Sequence, residues 1–128
     1  MKFNNKVLIV GCGAITSTFH LPALQKFIAS NNIFLYDKDF DTAKKLGNKF
    51  GIDNIIANLE DDLSYVDSSI LAVPYQYSFD LTKKLLLSKI NVLGEKPIAS
   101  SSSELNELIS LSEANNLVFC GNHTRRFF

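Results

Sequence analysis

"VLIVGCGAITSTFH", Val7 to His20, is the stretch on which the fold turns. Four apolar residues in a row read as a buried strand. Gly11 and Gly13 follow at once, ahead of a helical pattern, so the chain can reverse tightly and bring backbone amides to an anion at the helix N-terminus. The segment Gly11, Cys12, Gly13, Ala14 and Ile15 is therefore the candidate cradle for the pyrophosphate of a dinucleotide. The third position of the G-x-G-x-x-G/A pattern holds Thr16, which is larger than the usual glycine or alanine. A plain strand-to-helix turn is the competing reading.

Working outward, short apolar runs alternate with longer helical patterns. Strands are predicted over 6–10, 32–36, 54–57, 69–73, 91–93 and 117–120. Phe40, Ala43, Leu46 and Phe50 place an apolar face on a helix that Gly51 can close in the left-handed conformation. Leu105, Leu108, Ile109 and Leu111 do the same for the last helix, and Ser101 with Glu104 has capping-box spacing at its start. Pro22 predicts a bend or restart in the first helix, and Ser78 is a candidate cap for the helix after the fourth strand. Near-continuous apolar strands between helices imply an α/β fold: a doubly wound parallel sheet of about six strands, covered on both faces.

Composition bounds the function. The 128 residues, 46% hydrophobic, suit one domain over 1–128, which buries roughly two thirds of its unfolded surface. Thirteen basic and thirteen acidic side chains balance, so neither nucleic acid nor a membrane surface is an expected partner. No apolar run approaches the roughly 20 residues needed to cross a bilayer, and the opening residues lack an export pattern. The expectation is a cytoplasmic protein with reduced, buried thiols at Cys12 and Cys120, and no metal is expected.

Asp37 closes the second predicted strand in "NIFLYDKDF". A carboxylate there can accept hydrogen bonds from the adenosine ribose and would repel a 2'-phosphate, which favours NAD, while Lys38 leaves NADP open. The alternative for Asp37 is a helix-start role, which Asp39 could fill equally well. In "SILAVPYQYSFDL", Val73, Pro74 and Tyr75 come where the carboxyl edge of the sheet would border the nicotinamide half, and Tyr75 and Tyr77 either wall that ring or pack over the sheet edge. In "INVLGEKPIAS", Glu95 and Lys96 stand at the end of the fifth strand, on the same edge as the glycine turn. A lysine so placed can exchange a proton with a substrate hydroxyl, and Glu95 could orient it or hold its charge. A cis bond between Lys96 and Pro97 is a hypothesis at this point. A solvated Glu-Lys pair is the alternative.

The pieces "GCGAITSTFHLPAL", Asp37, "AVPYQYS", "LLSKINVLGEKPIA" and "GNHTRRFF" together resemble the NAD(P)-binding half of the Gfo/Idh/MocA family, the glucose-fructose oxidoreductase and inositol dehydrogenase group. The resemblance runs over nearly the whole chain, and its specific element is the E-K-P tripeptide. It implies Lys96 as the catalytic residue that positions and deprotonates a sugar or polyol hydroxyl while hydride passes to the nicotinamide. It also implies that Gly11, Cys12, Gly13, Ala14, Ile15, Asp37, Val73, Pro74, Tyr75, Glu95 and Lys96 bind the cofactor, NAD or NADP. Family members usually have asparagine and histidine where this chain has Tyr75 and Ser78. They also carry a C-terminal substrate domain, expected to be absent here, with "RRFF" as the crossing point and His123, Arg125 and Arg126 either reaching substrate or facing solvent. The expected partners are a small sugar or polyol substrate, if a second domain or another polypeptide completes the site, and a homo-oligomer mate or partner subunit.

Three functions compete: a sugar or polyol oxidoreductase, a non-catalytic NAD-binding regulatory module, and an interaction domain that kept the fold without the ligand.

Overall fold

The computed structural model describes residues 2–123 and Arg125; Arg126 and the closing phenylalanines lie outside the described residues. Among these, six strands form one sheet: β1 (Val7–Val10), β2 (Ile33–Tyr36), β3 (Asn54–Ile55), β4 (Ser68–Leu71), β5 (Asn91–Glu95) and β6 (Phe119–Asn122). Every neighbouring pair is parallel, in the order β3-β2-β1-β4-β5-β6. The strand order reverses at β1, and this is the doubly wound arrangement expected from the sequence.

Period-two alternation sorts β1 between two cores. Leu8 and Val10 join Leu85 and Leu86 of α3 (Tyr75–Leu87) and Leu108 of α4 (Ser102–Ala114). Val7 and Ile9 join Leu21 of α1 (Leu21–Leu24) and Ala43 and Leu46 of α2 (Phe40–Phe50). Each fully buried leucine contributes roughly 1.5–3 kcal/mol, so β1 anchors both layers.

Local signals hold at several ends. Gly51 closes α2 at φ 71°, and Asp39 caps its start by accepting from the Asp41 amide at 3.1 Å. Ser101 caps α4 by accepting from the Glu104 amide, while the Glu104 carboxylate returns to the amide of Ser100, one residue before the expected partner. The first helix does restart near Pro22: a π-helical turn, Thr16–His20, leads into α1.

Four expectations are corrected. The sheet is not covered on both faces throughout. Beside α1, a groove of about 400 Å³ runs over β4, β5 and β6, lined by Leu24, Ile70, Leu93, Val118 and Cys120 among others. The reason is topological, since α3 and α4 both pack on the opposite face and α1 is too short to reach across. In α4, Leu108 and Ser112 are buried, whereas Leu105 and Ile109 are exposed; four leucines and isoleucines in one helix outnumber the positions its single contact face can bury. Ser78 is a buried residue inside α3, whose N-cap is Pro74. Both cysteines are free, but only Cys12 is buried, because Cys120 faces the open side of edge strand β6.

No helix among the described residues is long and apolar enough to cross a membrane.

Candidate functional site

Parallel register places the two key segments on one rim. Val10 pairs with Leu71, and Leu71 with Gly94, so Gly11 and Ala72 leave the sheet level with Glu95, the last residue of β5. Neighbouring strands are about 4.8 Å apart, and β4 alone separates β1 from β5. At the strand-order reversal a cavity of about 450 Å³ opens, lined by Gly11, Gly13, Asp37, Val73, Pro74 and Tyr77 among others. Crevices at such reversals are where open α/β sheets take ligands.

Gly11 is set by geometry. Its φ is +100°, and a Cβ there would stand 2.1 Å from the Ala72 carbonyl oxygen. The Gly11 amide donates to the Tyr36 carbonyl at 2.8 Å. Thr16, fully buried, donates its hydroxyl to the Gly11 carbonyl, so the large third residue of the motif is accommodated by satisfying its one polar group. Gly13, Ala14 and Ile15 stay exposed, and their amides meet no acceptor among the described residues, as the first turn of a helix requires. This turn fits a pyrophosphate: free amides, no side chain at Gly11, and open space where a Gly13 Cβ would be.

Asp37 ties the turn to the end of β2. Its Oδ2 accepts from the Cys12 amide and its Oδ1 from the Asp39 amide, each at 2.9 Å. Each oxygen keeps a lone pair for a further donor, which is what ribose hydroxyls supply. Asp39 takes the helix-cap role. Across the cavity, the Lys38 ammonium sits 4.9 Å from the Tyr77 ring centroid, a cation–π distance. Tyr77 therefore borders the Asp37 end of the cavity, while Tyr75 is 60% exposed and does not line it.

At β5, Glu95 is mostly buried. Its Oε1 accepts from the His20 Nε2 at 2.6 Å and from the Asn122 Nδ2 at 2.8 Å. Lys96 is exposed and makes no ion pair among the described residues, and the Lys96-Pro97 bond is cis. Ile98, after Pro97, lies against β6: a Cβ on Gly121 would stand 2.3 Å from its terminal Cδ1. Neither Glu95 nor Lys96 lines the 450 Å³ cavity, and neither do Cys12, Ala14 and Ile15; Cys12 turns instead into the core beside Leu21. The sequence reading passed over His20 and Asn122, which only the fold brings together.

Burial, and behind it the Asp37 charge, pushes the Cys12 thiol up to about 12. It stays protonated at pH 8, where nucleophilic attack needs the thiolate. An aromatic disulfide reagent at that pH is expected to modify Cys120 and not Cys12 in the folded chain, and both after denaturation. Peptide mapping checks this, and rapid labelling of Cys12 in the folded state would contradict its burial.

Residues 5–123 match the family described as "Oxidoreductase family, NAD-binding Rossmann fold" (GFO_IDH_MocA). YgjR of Escherichia coli K12, an uncharacterized oxidoreductase, is 29% identical over 86 residues, which make up 66% of this chain and 26% of that protein. Among solved structures, a dehydrogenase (MviM) from Clostridium difficile aligns with a TM-score of 0.87 at 26% identity, over 98% of this chain and 41% of that one. The UDP-N-acetylglucosamine 3-dehydrogenase GnnA from Acidithiobacillus ferrooxidans gives a TM-score of 0.87 at 18% identity, a likeness of fold, over 97% of this chain and 38% of that one. The chain thus spans well under half the length of each.

Proposed function

Because the chain belongs to the Gfo/Idh/MocA oxidoreductase family and carries its NAD-binding Rossmann fold, we propose that it is the cofactor-binding part of an enzyme that oxidises or reduces a sugar or polyol at a hydroxyl-bearing carbon. The observation that carries this reading is the shared rim, where the glycine turn and the E-K-P segment leave the sheet at one level, one strand apart. The nicotinamide supplies the hydride acceptor or donor. On this reading the amides of Gly13, Ala14 and Ile15 hold the pyrophosphate, and the Asp37 carboxylate takes the ribose hydroxyls. In the oxidative direction the Lys96 amine accepts the hydroxyl proton as the carbon gives up hydride; in the reductive direction it returns that proton to the carbonyl oxygen. The substrate pocket is then supplied by residues beyond these 128, consistent with the greater length of the relatives. The sugar class is supported by the name of one fold neighbour, a UDP-N-acetylglucosamine 3-dehydrogenase. Two free thiols accord with a reducing, cytoplasmic setting.

Calorimetric titration of the chain with NADH tests the reading. One saturable site per chain is expected, and a flat titration would refute it.

Cofactor preference gives a sharper check. Replacing Asp37 with alanine removes the ribose acceptor and the charge that repels a 2'-phosphate, so NAD affinity should fall about tenfold relative to NADP. An unchanged NAD to NADP ratio would end the assignment of Asp37 to the ribose.

A further inference from the structure

His20, Glu95 and Asn122 come from three separate elements: the π-helical turn after the glycine cradle, the end of β5 and the end of β6. The contact crosses over β4. His20 and Glu95 side chains are 12% and 16% exposed, and a carboxylate so far removed from water is costly unless its oxygens are bonded. Oε1 takes both donors, from His20 Nε2 and Asn122 Nδ2, while Oε2 has no partner among the described residues and is not shut off from solvent, which leaves it open to an incoming donor.

The wide turn explains how His20 reaches this point. Thr16 and Leu21, five residues apart, are both fully buried, and the Leu21 amide donates to the Thr16 carbonyl across the π-helical ring. An α-helix would bring residues four apart onto one face, setting His20 above Thr16 against the core. The extra residue in the turn rotates His20 away from that face, toward β5. Single π turns of this kind occur often at functional sites.

We infer that His20 and Asn122 are positioning residues that act through Glu95: they saturate one carboxylate oxygen and hold the other as an acceptor for the nicotinamide half of the cofactor, next to Lys96. This rests on the function proposed above. It assigns to the first helix a second task beyond the pyrophosphate, since the element that cradles the phosphates also fixes the acid of the E-K-P segment. Both contacts are hydrogen bonds to the one oxygen, from the His20 ring in its Nε2–H tautomer and from the Asn122 amide.

The test compares two ligands in calorimetric titrations of the folded chain. NADH spans both halves of the site, whereas ADP fills only the adenosine and phosphate half. His20→Ala should weaken NADH about tenfold and change ADP less than twofold. Asn122→Ala should give a smaller loss, about threefold, with the same selectivity. His20→Gln, which keeps a side-chain donor, should recover most of the NADH affinity. The double variant His20→Ala/Glu95→Gln should bind NADH no more weakly than the worse single variant, because both remove one interaction. Equal losses of ADP and NADH, additive losses, or unchanged NADH affinity in both alanine variants would overturn the inference while leaving the cofactor reading intact. Failure of the unaltered chain to bind NADH would remove both. Should His20→Ala not fold, Asn122→Ala at the strand end decides by the same ADP to NADH comparison.

Discussion

Gly11→Ala is expected to abolish measurable NADH binding and to destabilise the chain by about 2–6 kcal/mol, a large share of the roughly 5–15 kcal/mol that holds a small domain together. Two terms add. A non-glycine residue at φ +100° sits outside the regions open to L-residues, at a cost of order 1–3 kcal/mol. Its methyl carbon would also stand 2.1 Å from the Ala72 carbonyl oxygen, and because that neighbour is backbone of β4's exit it cannot rotate aside, which adds roughly 1–3 kcal/mol of overpacking. The shift of Ala72 would be felt by Val73 and Pro74, which line the same cavity. Gly13→Ala is the control, since its Cβ meets nothing within 4 Å; it should fold as stably as the parent. Denaturant midpoints for the two variants, measured side by side, decide the matter. Parental stability in Gly11→Ala would mean the turn is not built as described.

The second large effect belongs to Lys96. On the proposed function, and in a polypeptide that joins this chain to a substrate domain, assayed with glucose and myo-inositol as first substrates, Lys96→Ala should lower kcat by about 10²–10⁴, the usual worth of a positioned acid or base, with NADH affinity nearly unchanged. Lys96→Arg should not restore turnover, because a guanidinium keeps its protons at any working pH. Lys96 is exposed and makes no ion pair among the described residues, so the variant should fold as the parent does, and matched melting curves are the check. Full activity in Lys96→Ala would refute the role assigned to it.

Much of this architecture was written locally. The glycine turn, Asp37 at the end of β2, the left-handed Gly51 and the serine cap of α4 each depend on a few neighbouring residues, and backbone sterics leave little choice there. What failed to show was anything decided by a partner distant in sequence. Leu105 and Ile109 carry the same helical spacing as Leu108, yet which of them meets the core depends on how α4 is rotated about its axis against the sheet. Cys120 reads as apolar, but β6 is an edge and its outward side has no cover. Tyr77 reads from the sequence as a wall for the nicotinamide ring or as packing over the sheet edge, whereas in the fold it lies 4.9 Å from the Lys38 ammonium, beside Asp37. His20 and Glu95 are separated by 75 positions, and nothing in either neighbourhood announces the other.

The incomplete cover over β4 to β6 gives that flank a mutational rhythm of its own. Val92 points into the packed layer and Leu93 toward the groove; one step along β5 separates a site that rejects a polar side chain from one that can wet it. Drift among descendants of this sequence would therefore beat every second residue there, whereas β1, hemmed in from above and below, would scarcely vary.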